Sequence, residues 1–251
     1  MDSESVRGGQ LAAHFYWNEC RMAKDNEDTN RTVTDLWDIF LDEKKLASFE
    51  GFKLAAELGI PNSETFHDIL PWEECAVYVS EEMTKVMSKI PDESKEGLVW
   101  EHVGSTAIPG MPGTLFPDAL LNYPSFPPPR DAFSALIHSG FTFIGSGKIH
   151  PRDVWFKKKI SRPGSILDGQ SFKVHFCPTD NGVTRLLLET RDRCRENRED
   201  FEDYRDAKIE ASKLIAEGPG HNYKGAKGKS KLLTELTTKH NCFPTASQPR
   251  E

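Results

Sequence analysis

Apolar residues recur at helical spacing early in the chain, with Leu36, Ile39 and Phe40 on one stripe and Leu46, Phe49 and Phe52 on another. The pattern predicts a small helical appendage over residues 11–57, interrupted by a charged loop at 24–30 and closed by the turn formers of 58–63. Residues 80–89 read as a helix capped by Ser80, with Glu81 and Glu82 in the first turn and Met83, Val86 and Met87 facing inward. The period then changes. Leu98, Val99, Trp100 and Val103 make a short apolar strand that ends at Gly104, and a second strand opens on Asp118.

Residues 123–129 are a stiff proline-rich connector, and 131–139 a helix stopped by Gly140. Residues 141–144 and 154–156 are expected to pair as strands, and 172–176 alternates so that Lys173 and His175 share one face. From 181 to 217 the chain reads as charged helix with one buried stripe, Leu186, Leu187, Phe201, Tyr204 and Ile209. A short helix at 229–239 precedes a tail. Strands mixed with helices predict an α/β or α+β fold, a mixed sheet flanked by helices. The expected organisation is a helical N-terminal extension (1–65), a main domain (66–242) and a tail (243–251).

Composition narrows the class. In 251 residues, 37% hydrophobic content contains no apolar run near the ~20 residues of a membrane span. The opening MDSESVRGG lacks the basic start and apolar core of a secretory signal, so a cytoplasmic protein is expected. Five scattered cysteines without a Cys-x-x-Cys pair argue against a disulfide framework or structural zinc. A net charge of -7 disfavours non-specific nucleic-acid binding, so any RNA contact must be local.

The chemistry concentrates in residues 98–121. Gly104 lets a backbone approach a ligand, while Ser105 and Thr106 offer hydroxyls and amides to phosphate oxygens. Glu101 and His102 point to opposite faces of their strand. His102, on the face of Gly104, is the preferred site member, with a hydrogen-bonded core histidine as the alternative. Lys148, His150, Arg152, Lys157, Lys158, Lys159, Arg162 and Lys173 face only Asp153 and Asp168, a local excess suited to phosphate or a tRNA end. Taken alone, Lys157 to Lys159 are more often a solvated strand edge, which lysine guards. Arg191 and Arg195, one turn apart, either present a paired anion site or pair with Asp192 and Glu199. Gly228-Lys229-Ser230 is no phosphate loop, because Tyr223 replaces the required glycine.

The segment EHVGSTAIPGMPG, residues 101–113, resembles the signature of the GrpB family, within the nucleotidyltransferase superfamily. The resemblance runs from about 69 to 240 and includes His175, Arg191-Asp192, Tyr204 with Lys208, and Tyr223 with Lys227. It implies a nucleotidyltransferase-like fold in which Gly104, Ser105 and Thr106 grip phosphate with Lys173, Arg191 and Lys208. Asp118 would ligate Mg²⁺ or act as a base, assisted by His102 and His175. Two departures weaken metal chemistry: Leu120 stands where the superfamily places a second carboxylate, and Thr114-Leu115 replaces a family Lys-Pro pair. Three functions follow. One is a transferase acting on an anionic nucleotide or nucleotidylated substrate; another is a non-catalytic ligand- or partner-binding module. The last is tRNA-dependent aminoacyl transfer forming a cyclodipeptide in secondary metabolism.

Overall fold

The computed structural model describes residues 26–61, 65–146 and 152–216. Three helices come first: α1 (Asn26–Leu41), α2 (Glu43–Ser48) and α3 (Gly51–Glu57). The short strand β1 (Phe66–His67) leads into α4 (Trp72–Ser88), then β2 (Val99–Val103), β3 (Gly113–Thr114) and β4 (Asp118–Tyr123). Helix α5 (Arg130–His138) precedes β5 (Thr142–Ser146), β6 (Val154–Lys159) and β7 (Ser171–Pro178), and α6 (Gly182–Glu196) and α7 (Arg198–Ala216) follow. Among these, no helix is long and apolar enough to cross a membrane.

Five strands form one mixed sheet in the order β2-β4-β7-β6-β5, with β4 and β7 parallel and the other pairs antiparallel. β1 and β3 form a separate two-stranded ladder. Because side chains alternate across a strand, the sheet sorts its residues onto two faces. One face carries Ala119, Leu121, Tyr123, Val154, Phe156, Phe172, Val174 and Phe176 into the main core. Leu36 and Phe40 of α1, Val79, Met83 and Val86 of α4, and Phe133 and Leu136 of α5 cover it. The other face starts with an apolar patch, Val103, Leu120 and Cys177 under Leu187 and Leu188 of α6. Farther along it turns polar, at Asp118, Lys157, Lys173 and His175.

The mixed sheet flanked by helices is the fold the sequence predicts, and Asp118 does open β4. Three expectations are corrected. Residues 26–30, read as a loop, are the first turns of α1, since the stripe Val33, Leu36 and Phe40 draws the helix onto the core. Ser80 caps nothing: α4 begins eight residues earlier, after Pro71, because Cys75, Tyr78 and Val79 extend the buried stripe N-terminally. The long charged helix is two helices, broken at Asn197, whose side chain accepts from the amides of Glu199 and Asp200. Tyr223, Lys227, the 229–239 helix, the tail, Lys148 and His150 lie outside the described residues.

Candidate functional site

Val103, the last residue of β2, pairs with Asp118, the first of β4. The chain then turns at Gly104, whose φ of +73° favours glycine, and a Cβ there would lie 2.7 Å from Asp118 Oδ2. Turn and carboxylate are therefore in contact. Residues Ser105–Ala107 form a single 3-10 turn, closed by the Ala107 amide to Gly104 O at 3.2 Å and the Ile108 amide to Ser105 O at 3.1 Å. A helical turn leaves its leading amides without an internal acceptor. From α7, the buried Lys208 ammonium donates to Ser105 Oγ at 2.6 Å. Tyr204, one turn before Lys208, also hydrogen-bonds Ser105, and burial pushes its phenol up to about 12. Gly113 of β3 leaves room for this lysine, since a Cβ there would come 2.7 Å from Lys208 Nζ.

Register assembles the rest. Asp118 lies beside Lys173, and Leu120 beside His175, in the parallel β4–β7 pair; β6 adds Lys157 next to Lys173 and Trp155 next to His175. Lys173 Nζ sits 2.8 Å from Asp118 Oδ1, both side chains largely buried. His175 Nδ1 is 2.9 Å from Asp153 Oδ1, and Trp155 Nε1 donates to Asp153 Oδ2 at 2.8 Å. A carboxylate only accepts, so Nδ1 carries the proton of the neutral ring. The other ring nitrogen, Nε2, lies 4.0 Å from Asp118 Oδ1. This is a carboxylate-oriented imidazole aimed at the site.

His102 stands elsewhere. It pairs with Ala119, on the face opposite Asp118, and its Nε2 meets the Thr106 hydroxyl at 3.1 Å. Glu101 shares Asp118's face, because the aspartate aligns with Val103 rather than with Gly104. Burial pushes His102 down from 6.5 to about 4; Asp118 opposes the shift, and Arg195 and Arg191 add to it. Its protonated form is thus disfavoured in the folded state. Its contribution to stability is complete above pH 6.5 and is lost as pH falls toward 4, where the unfolded chain binds the proton more tightly. His102→Gln is expected to flatten the fall in denaturant midpoint between pH 7 and pH 4.5, as urea titrations will measure.

The two arginines clamp the turn from behind. Arg191 Nη1 donates to Glu101 Oε2 at 2.8 Å and to His102 O at 2.9 Å, while its Nε takes Asp192 Oδ1 at 2.6 Å. Burial opposes its charge, but Asp192 and Glu101 more than restore it and raise its pKa. Arg195 grips Ala107 O through Nε at 2.9 Å and Nη2 at 2.6 Å. The predicted phosphate contact at Arg191 is thus occupied by two carboxylates and a carbonyl. The basic run divides likewise: Lys158 binds Glu82, Arg162 binds Glu81, and Arg152 lies over Phe126. Lys157 is buried rather than at an edge, since β6 runs between β5 and β7. With Lys173 it brackets the Phe116 ring, at 5.2 and 5.5 Å from the centroid.

Leu120, buried, fills the second carboxylate position, and among the described residues no three His, Cys, Asp or Glu side chains cluster to hold a metal. A Mg²⁺ ion would find one carboxylate, already paired with Lys173, so the donor set does not fit a two-ion centre. Cys75, Cys177 and Cys194 are buried with thiols pushed up to about 12, which removes them as nucleophiles at neutral pH. Trp155 and Phe116 are site neighbours that the sequence did not single out, while Lys157 was read only as part of the basic run and Asp153 only as one of its two counter-charges. The one available signal for Asp153 was its position just before a strand that alternates toward Lys173's neighbour.

The family model described as GrpB protein matches residues 67–239. The crystal structure of conserved protein GrpB from Enterococcus faecalis is similar at a TM-score of 0.50 and 18% identity, covering 70% of this chain and 98% of that one. Vibrio cholerae DncV cyclic AMP-GMP synthase, in complex with nonhydrolyzable GTP, covers 99% of this chain and 78% of its own at 11% identity. Its TM-score is 0.19. No curated protein matches. The family match spans more than half of the sequence and contains the Gly104 turn, Asp118, Lys173, His175 and Lys208: the chain belongs to the GrpB family.

Proposed function

We propose that this GrpB-family chain is a transferase that binds a nucleotide or nucleotidylated substrate through its phosphates and uses His175 for proton transfer. The contact between the Gly104-Ser105 turn and Asp118, with Lys208 on the serine, carries this reading. Lys208 and Lys173 would supply charge to phosphate oxygens, and the turn its amides. Asp118 holds Lys173 in place. His175 Nε2 would accept the proton of the attacking hydroxyl or amine as its oxygen or nitrogen bonds to the substrate phosphorus, and return it to the oxygen that leaves as the P–O bond on the other side breaks. Asp153 stabilises the imidazolium between these steps. No step calls on a metal.

One observation favours a second reading, aminoacyl transfer from charged tRNA to form a cyclodipeptide. The Asp153–His175 pair sits in a site whose donors do not suit two metal ions. Attack of an amine on an aminoacyl ester needs proton removal rather than activation of phosphorus. The aminoacyl end of a tRNA is itself a nucleotide, so both readings share the phosphate contacts.

Mass spectrometry of small molecules in cells expressing the protein separates the two. A new nucleotidylated product assigns the first reading. A dipeptide whose formation in extract stops after RNase treatment assigns the second. If neither product forms, the transferase proposal falls.

A further inference from the structure

Helices α1–α3 precede the residues that match the family model, yet α3 packs against the same sheet next to the site. Its docking is close. A Cβ at Gly51 would overlap the backbone carbonyl of Ile144 in β5, so only glycine permits this approach. Phe49 packs on Phe143 with ring centroids 5.2 Å apart, and Ala55 and Ile60 bury Ile144 beside Trp155. These contacts fix the position of the next side chain, Phe52.

Phe52 keeps 46% of its surface exposed. Its ring stands edge-on to Trp155, 5.6 Å away at 86°, and 5.6 Å from Lys157 Nζ. Trp155 is pinned through Nε1 to Asp153, and Lys173 Nζ lies 4.9 Å over its ring. An exposed phenylalanine alone means little. Here it borders an indole that lies beside both the proposed proton carrier and a phosphate-binding lysine.

We propose that Phe52, held edge-on against Trp155, is a stacking wall for the flat base of a nucleotide whose phosphate is held by the turn and the lysines. The N-terminal helices thereby contribute a base-binding residue to the family site. This rests on the phosphate-binding reading. Stacking tolerates any base, because every base has a π-face, and removing one aromatic partner lowers affinity on the order of tenfold.

Calorimetric titration of AMP, adenosine, ribose 5-phosphate and inorganic phosphate into the full chain tests it. AMP is expected to bind on the order of tenfold more tightly than ribose 5-phosphate. Phe52→Ala erases that advantage without changing ribose 5-phosphate affinity, and Phe52→Trp retains it. An AMP affinity indifferent to Phe52→Ala, or an equal loss for both ligands, overturns the wall. If adenosine binds through Phe52 while ribose 5-phosphate and phosphate do not, the phosphate reading fails and the wall stands. If neither adenosine nor AMP gives heat, the wall falls. Thermal melting checks that Phe52→Ala folds.

Discussion

His175→Asn is expected to cut product formation about 10²–10⁴-fold, the usual contribution of a positioned general acid-base group. Asparagine suits the test because its amide can replace Nδ1–H as the donor to Asp153 while removing the acceptor at Nε2. Leaving Asp153 without any donor would mix a stability loss with the catalytic one, for that carboxylate is buried and otherwise held by Trp155 Nε1. AMP affinity should stay within a factor of two or so of wild type, since phosphate contacts are assigned to Lys173 and Lys208. Asp153→Asn is the companion. An amide there can turn its NH₂ toward His175, favour the other tautomer and block Nε2 from accepting, so the rate should fall with a distorted pH profile. A His175→Asn variant that makes product at the wild-type rate would remove His175 from the chemistry.

Phe133→Ala is expected to lower unfolding free energy by about 3–5 kcal/mol, the range for a large buried aromatic. Phe133 of α5 is fully buried where the N-terminal helices meet the sheet. Its ring lies 5.3 Å from Trp37 and 5.5 Å from Phe40 of α1, 5.4 Å from Phe143 of β5 and 5.1 Å from Phe156 of β6. Four rings on three elements, one helix and two strands, cannot all close on the space, so a cavity remains and adds to the lost transfer energy. Domains of this size hold about 5–15 kcal/mol, so the variant should show a much lower denaturant midpoint with an unchanged slope. Hydrogen exchange should show α1 loosening first, because Trp37 and Phe40 each lose a partner. A loss below about 1 kcal/mol would mean that α1 is not held through this ring.

Much of the site was legible where local pattern decides geometry. The apolar run ending at Gly104 and the carboxylate opening the next strand are both set by nearby residues, and both stand where the sequence puts them. Alternation alone put Lys173 and His175 on one face. What escaped depends on register between distant strands. His102 was preferred to Glu101 because it shares a face with Gly104, but the ladder aligns Asp118 with Val103 and thus brings Glu101 to the carboxylate's side. Asp153 became His175's partner only through β6 lying beside β7. Arg191 and Arg195 were rightly placed one turn apart, and Arg191 does pair with Asp192, yet its further acceptors, Glu101 and His102 O, lie on β2, and Arg195's acceptor, Ala107 O, lies in the turn. The N-terminal helices read as an appendage because nothing local signals that Gly51 meets Ile144.

If the Gly104 turn and its lysines hold the phosphate of a nucleotide, removing the Lys208 charge must weaken binding. Calorimetric titration of AMP into the wild-type chain and Lys208→Met, at two salt concentrations, isolates it. Methionine keeps the buried stem and removes the ammonium now on Ser105 Oγ. Wild type is expected to bind AMP, and Lys208→Met to bind it about tenfold or more weakly with less dependence on salt. Equal affinity and equal salt dependence in the two proteins would contradict phosphate binding by the turn and its lysines.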